Sequence, residues 1–259
     1  MPACSSGIVR SNKKVGPDLW EMEFTALALA REAQPGQFVH IRVGGNQDPL
    51  LRRPLSIYDV DAGLITLLYK VVGRGTEILS LYSSDQPLDV MGPLGKGFSL
   101  VQDRRVLLVG GGVGIAPLLF LGRELKVRNN KVIVLHGAGS KEETCSGPKF
   151  TGLGMEYRIA TMDGSLGFKG LVTDLMEREI DPKSIDYIYT CGPEPMMEAV
   201  AAFAARNNMP GELSLEEYMA CGVGACLGCA RKLKASDPSY VKICHDGPVF
   251  PLDSVNIAP

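Results

Sequence analysis

The sequence predicts a β plus α/β protein: an antiparallel β-barrel, a doubly wound parallel α/β domain and a small C-terminal cysteine-rich domain. Three observations carry this. Short alternating runs broken by glycine and proline fill residues 1–102, strand and helix patterns alternate over 103–212, and four of seven cysteines crowd into 213–259. A length of 259 residues allows one large domain or two to three small ones. The hydrophobic share of 45% and charged share of 22% exclude disorder as a description of the whole chain. A net charge of −2 offers no polyanion footprint, so nucleic acid is not an expected partner. Glycine, 30 residues, is about 12% of the chain against roughly 7% in an average protein. That excess points to tight turns or to backbone that approaches a ligand closely.

In the first segment, Val39–Val43 alternates apolar and polar, and Leu64–Val72 is a longer apolar run ending in two valines. Pro35-Gly36, Gly73, Gly75 and Gly92-Pro93 punctuate such runs, and one helix is expected near Thr76–Leu81. In the second segment, strands are expected at Val106–Val109, Val132–Leu135, Tyr157–Ala160 and Ile185–Thr190. Helices are expected from the glycine turn after Val109 through Arg128, at Leu171–Glu179 and at Pro195–Asn207. The longest uncharged stretch, Val106–Gly122, carries five glycines and a proline and falls short of the ~20 apolar residues of a membrane span. The opening MPACSSGIVRSNKK has no apolar signal-peptide region, so a cytoplasmic location is expected. In that compartment clustered cysteines imply metal rather than disulfides.

The cluster reads Cys221-x4-Cys226-x2-Cys229-x14-Cys244. Four thiolates with three in one loop and a distant fourth is the plant-type 2Fe–2S spacing. Gly222, Gly224 and Gly228 would let backbone N–H groups reach the sulfurs. Structural zinc is the alternative reading of four cysteines, although zinc sites usually present two short pairs.

Two further segments have cofactor chemistry. Arg52-Arg53-Pro54-Leu55-Ser56 and Lys70-Val71-Val72-Gly73-Arg74-Gly75-Thr76 combine a pyrophosphate-binding residue type with a glycine–threonine helix opening. Basic residues in a β-protein are more often solvated surface, so each segment alone is a weak signal. Gly110-Gly111-Gly112-Val113-Gly114 follows a buried strand and opens a helix, as a dinucleotide turn does, without the ordinary G-x-G-x-x-G spacing. Cys191-Gly192-Pro193 follows a strand and opens the next helix. His40, His136 and His245 show no metal spacing and no nucleophile partner, so structural or surface roles are expected. No Ser–His–Asp or paired-carboxylate pattern stands out, which leaves the chemistry to cofactors.

Taken in order, R-P-x-S, G-R-G-T, the glycine-rich turn and C-G-P resemble the ferredoxin reductase superfamily of flavoproteins. The resemblance implies an FAD-binding barrel, with Arg53 at the pyrophosphate and Ser56 near the flavin ring. Pro54, Leu55, Lys70, Val71, Val72, Gly75 and Thr76 would hold the rest of the FAD. Leu55 stands where many members carry a tyrosine that stacks on the flavin. The resemblance also implies an NAD site at Gly111, Gly112, Gly114, Cys191, Gly192 and Pro193, with Cys191 facing hydride transfer. Asp163-Gly164-Ser165 and Gly170 form another turn, which the same reading sets near the adenosine ribose.

Over nearly the full length, including EEYMACGVGACLGC, the chain is similar to the electron-transfer subunits of class 1B dihydroorotate dehydrogenases. That resemblance implies iron ligation by Cys221, Cys226, Cys229 and Cys244. It also implies a partner subunit whose FMN oxidises dihydroorotate, in a heterotetramer of two catalytic and two electron-transfer subunits. Electrons would pass from FMN through 2Fe–2S and FAD to NAD+, in pyrimidine biosynthesis. Reductase subunits of a hydrogenase, a sulfide dehydrogenase or an NADH-dependent ferredoxin:NADP oxidoreductase share the module order and stay open as alternatives. A zinc-stabilised binding protein without redox activity is the non-enzyme alternative. Cys4 and Cys145 have no assigned role.

Overall fold

The computed structural model describes residues 3–44, 48–234 and 239–257. The first elements are β1 (Ala3–Lys14), β2 (Leu19–Thr25), α1 (Leu27–Glu32), β3 (Phe38–Arg42), β4 (Arg53–Asp61), β5 (Leu64–Lys70), α2 (Arg74–Ser80) and β6 (Pro87–Leu94). The strands pair antiparallel in the order β1-β2-β5-β4-β3-β6, and β6 returns to β1 to close the barrel. Closure removes the free edges of an open sheet. One face of each strand fills the interior: Met22, Phe24, Ile41, Ile57, Ile65, Leu67, Leu88 and Val90 are all fully buried.

The apolar run expected as a strand to Val72 ends as β5 at Lys70, and the helix expected at Thr76 begins at Arg74. The cause is local. Thr76 Oγ1 accepts hydrogen bonds from the backbone N–H of Val72 (3.0 Å) and Gly73 (3.3 Å) and donates to the Gly73 carbonyl (2.9 Å). Those N–H groups are turned out of the strand ladder and into the helix entry.

The second set is β7 (Arg105–Gly111), α3 (Ala116–Val127), β8 (Lys131–Ala138), α4 (Gly147–Gly152), β9 (Glu156–Thr161), β10 (Phe168–Lys169), α5 (Val172–Glu179), β11 (Tyr187–Cys191), α6 (Glu194–Arg206) and β12 (Gly211–Ser214). The remaining elements are β13 (Ala230–Lys232), β14 (Tyr240–Lys242), α7 (Ile243–Asp246) and β15 (Val249–Pro251). A seven-stranded sheet runs β10-β9-β8-β7-β11-β12-β15, parallel except for β15. Its strands are Val, Ile and Leu runs because both faces are covered. α5 and α6 pack with the core on one face, and α3 and α4 with that on the other. Strand order reverses between β7 and β11, the position where such sheets open a crevice at the strand C-termini. Among the described residues no helix is long and apolar enough to cross a membrane.

The parts interlock. Phe120 of α3 belongs to the barrel core, and Arg123 of the same helix pairs with Asp59 of β4 at 2.7 Å. β12 runs across the expected boundary between 212 and 213, and β15 joins the sheet from the far end of the chain. Cys229, Ile243 and Cys244 share one core with Phe38 and Leu94 of the barrel and Leu107 and Val109 of the sheet. Buried Glu212 accepts from Ser99 N (2.9 Å) and Ser99 Oγ (2.7 Å), tying the barrel-to-sheet connection to β12. Glu212→Ala removes both bonds to a charged acceptor and is expected to lower unfolding free energy by about 2–3 kcal/mol. Urea denaturation of the two proteins measures the difference.

Candidate functional site

The two proposed flavin segments meet in space. Arg53 opens β4 and Gly75 lies in the first turn of α2. A Cβ on Gly75 would fall 1.9 Å from Arg53 Nε and 2.5 Å from its Cζ, so the guanidinium occupies the space a side chain would take. Arg53 forms no ion pair among the described residues, whereas Arg52 is bound to Asp89 at 2.9 Å and donates to the His40 carbonyl. Of the two arginines, Arg53 is therefore the one left to bind an anion. Val71 N–H is spent on Asp18 O (2.8 Å), and Lys70 Nζ lies 3.6 Å from Glu143 Oε1. Val72 is 79% exposed beside this cradle. Pro54, Leu55 and Ser56 follow Arg53 on β4, half-buried and paired with His40, Val39 and Phe38 of β3. The donor set fits a flavin dinucleotide: a guanidinium that donates through Nη1 to the Leu51 and Arg52 carbonyls but meets no carboxylate among the described residues, a glycine beneath it and exposed apolar surface alongside.

The two nucleotide segments also converge. Gly110 and Cys191 are register partners at the C-terminal ends of neighbouring β7 and β11. A Cβ on Gly114 would meet Gly192 Cα at 2.6 Å and Cys191 O at 2.8 Å, and one on Gly111 would meet Pro193 Cδ at 2.7 Å. Only hydrogen fits between the two loops. Gly112 adopts φ +54°, with nothing within 4 Å of where its Cβ would stand. Beneath it, buried His136 bridges Gly112 O (3.2 Å) and Tyr157 OH (2.7 Å). Burial holds the His136 imidazole down to about 4, against smaller opposing effects of the Gly112 carbonyl and Glu143. The ring is neutral at pH 7, so Nε2–H donates to Gly112 O while Nδ1 accepts from Tyr157. Burial, then the nearby Glu216 charge, push the Cys191 thiol well up, so it stays protonated and does not act as a thiolate nucleophile. The Asp163 turn is closed on itself: Asp163 Oδ1 accepts from Ser165 N (2.9 Å) and Oγ (2.6 Å), with Gly164 at φ +75°.

The four cysteines of the C-terminal segment gather in two pairs. Cys221 Sγ accepts from the Cys226 backbone N–H at 3.4 Å, and Cys229 Sγ lies 3.2 Å from Cys244 Sγ. Backbone N–H groups point at the sulfurs throughout: Val223, Ala225 and Cys226 at Cys221 (3.5, 3.3 and 3.4 Å), Gly224 at Cys244 (3.2 Å), Gly228 at Cys226 (3.5 Å) and Cys244 at Cys229 (3.4 Å). Gly222 (φ +69°), Gly224 (φ +80°) and Leu227 (φ +60°) supply the left-handed conformations that turn those groups inward. Burial pushes the Cys221 thiol up, but the Val223, Cys226 and Ala225 donors outweigh it and bring it down to about 6. Cys244 is driven up by burial and by its neighbour Cys229. Sulfurs this close would all ionise together only around positive charge. Among the described residues no group of three or more His, Cys, Asp or Glu gathers around a single metal ion. Cys221 and Cys226 on one side, and Cys229 and Cys244 on the other, would hold a two-iron cluster between them.

Further side chains support these sites: His136 in the structural role expected of it, and Tyr157 and Arg231, which sequence patterns did not single out. His136 and Tyr157 hold the glycine turn, and Arg231 joins the loops. It donates to Ile257 O (2.7 Å) and pairs with Glu194 (2.7 Å), at the start of α6, and with Glu217. His245 is largely exposed beside Asp246. Nothing in single-residue patterning marks these roles, because each partner lies on a different element. Gly75→Ala is expected to displace Arg53 and lower FAD retention at least tenfold, read as flavin per chain after gel filtration. Gly114→Ala is expected to separate the two nucleotide loops, raising the KM for NADH while flavin and iron content stay unchanged.

Comparison with known proteins matches two stretches of the chain to family models. The iron-sulfur cluster binding domain of dihydroorotate dehydrogenase B covers residues 216–256, and the oxidoreductase NAD-binding domain covers 108–202. A dihydroorotate dehydrogenase B (NAD(+)) electron transfer subunit from Desulforamulus reducens is 47% identical over 241 residues, 92% of each chain. The subunit of that name from Fusobacterium nucleatum is 38% identical over 96% of this chain and 97% of its own. Among solved structures, one reported for flavin-based electron bifurcation, of an NADH-dependent reduced ferredoxin-NADP oxidoreductase, superposes with a TM-score of 0.86. It is 31% identical and covers 99% of this chain and 91% of its own. Fold, paired cysteines and full-length identity together place this chain in the family of dihydroorotate dehydrogenase B (NAD(+)) electron transfer subunits.

Proposed function

We propose that this chain carries electrons between a dihydroorotate-oxidising partner subunit and NAD+, holding FAD in the barrel and a 2Fe–2S cluster in the C-terminal segment. The observation that carries the reading is the 47% identity across 92% of both chains with a protein of that name. The site geometry supports it. Arg53 over Gly75 would bind the FAD pyrophosphate, with Pro54, Leu55, Ser56, Lys70, Val71, Val72 and Thr76 around the rest. Gly111, Gly112 and Gly114 with Cys191, Gly192 and Pro193 would receive NAD at the crevice between β7 and β11. Cys221, Cys226, Cys229 and Cys244 would ligate the irons. The domains then divide as 1–102 for FAD, 103–212 for NAD and 213–259 for the cluster.

FAD supplies the exchange between the nicotinamide hydride and the single electrons of an iron–sulfur centre. The protein positions: Arg53 holds charge, the glycine turns admit backbone, and the protonated Cys191 thiol closes the nicotinamide crevice. The partner in this reading carries FMN and the dihydroorotate site, two of each subunit assemble, and the complex is cytoplasmic. The match to the ferredoxin-NADP oxidoreductase structure favours a second reading, a reductase subunit of that enzyme type, through the shared fold at 31% identity.

Purification from the native host separates the two. Recovery with an FMN protein that oxidises dihydroorotate with NAD+ supports the first, and recovery with a ferredoxin-linked subunit supports the second. A colourless, zinc-loaded chain without flavin bands overturns both. Cys226→Ser is expected to remove most of the iron and its visible absorbance while NADH still reduces the flavin. Loss of flavin reduction with iron retained would refute the ligand assignment.

A further inference from the structure

His40 lies at the centre of β3, and its side chain is fully buried with neither ring nitrogen hydrogen-bonded. Alternation along the strand sends Val39 and Ile41 into the barrel core and Phe38 and His40 out toward the C-terminal segment. The surroundings of the ring are poor in partners. Phe38 stands edge-on at 6.3 Å, and Pro54 and Met91 are its neighbours on the flanking strands. On the remaining side is the cysteine loop. A Cβ on Gly222 would fall 2.5 Å from His40 Nδ1 and 3.0 Å from Cε1, so the imidazole fills the side-chain space of the residue next to Cys221. Burying a polar ring without a partner costs free energy, so a ring nitrogen set against the cysteine loop calls for a partner there. Arg53 occupies the neighbouring position on β4, so the two-residue alternation sends it to the opposite face from Pro54 and His40. The imidazole thus lies on the face of β3 and β4 that carries Pro54 and Ser56, against the cysteine loop and away from Arg53.

We infer that His40 is the barrel's hydrogen-bond donor to the iron–sulfur centre, its Nδ1–H reaching past Gly222 to a sulfur of the cluster. The inference rests on the cluster reading above and adds a ligand environment drawn from a different domain. A donor to sulfur stabilises the reduced, more negative centre and raises its potential. Gly222 is then required not only for its φ of +69° but because any side chain there would displace the donor.

The test uses the full chain loaded with iron and FAD. His40→Leu is expected to lower the cluster midpoint potential by about 59 mV, a tenfold change in a one-electron equilibrium, and to alter the EPR spectrum of the reduced cluster. His40→Asn places an amide N–H near Nδ1 and is expected to restore most of both, while the flavin potential and content stay as in the wild type. Should His40→Leu lose its iron, pulsed EPR on wild-type chain labelled with 15N-histidine reads the contact directly. An imidazole nitrogen coupled to the reduced cluster, absent in His40→Asn, is the expected result. An unchanged potential in iron-replete His40→Leu, or no histidine coupling lost in His40→Asn, overturns the inference. So does a shift of the flavin potential instead of the cluster's. A wild-type chain without iron overturns the cluster reading itself.

Discussion

The C-terminal cysteine segment has no core of its own, and the rest of the arrangement depends on where it finds one. It holds two short strands, a single helical turn and one further strand, close to the limit of about 40 residues below which chains need metal, disulfides or a partner to fold. Its buried cysteines, Cys229 and Cys244, pack in a core shared with Phe38 and Leu94 of the barrel and Val109 and Leu213 of the sheet. β15 adds to the sheet edge beside β12, and Arg231 is anchored to Glu194 and Glu217. The cluster loop is thereby seated against both larger units at once. For a carrier whose rate depends on distance between centres, that shared burial replaces any need for a flexible linker.

Backbone contact is the second recurring device. Arg53 lies over Gly75, the loops at Gly114 and Gly192 touch, and His40 lies over Gly222; in each case a hydrogen stands where a Cβ would collide. Glycine is costly in regular structure, so its concentration at these three places reflects the approach distances each one requires. The glycine excess of the chain is in this sense a property of its loops more than of its strands.

Charge is handled by placement. Arg52 and Arg53 are adjacent, yet one is neutralised by Asp89 and the other has no carboxylate partner among the described residues. Both buried histidines remain neutral at pH 7. His136 is held down by burial, and His40, brought down to about 4, by burial and then by the charges of Arg52 and Arg53. A neutral imidazole keeps one donor and one acceptor, which is what bridging Gly112 and Tyr157 demands.

The module order, the parallel sheet and the cysteine-rich C-terminal segment were legible in the residues alone, because each rests on local spacing: period-two alternation, strand–turn–helix succession and C-x4-C-x2-C. The glycine turns were legible as turns for the same reason. What only the tertiary structure decided is which distant residues meet. Arg53, not Arg52, is left without a carboxylate because Asp89 comes from β6, and His136 reaches Gly112 because β8 lies beside β7. His40 faces the cysteine loop because the barrel packs its outer face there. The helix entry at Arg74 was misplaced by two residues because the Thr76 hydroxyl captures two N–H groups, a bond that propensity does not encode. Spacing along a chain fixes the residue types available to a site, and packing between elements selects the partners.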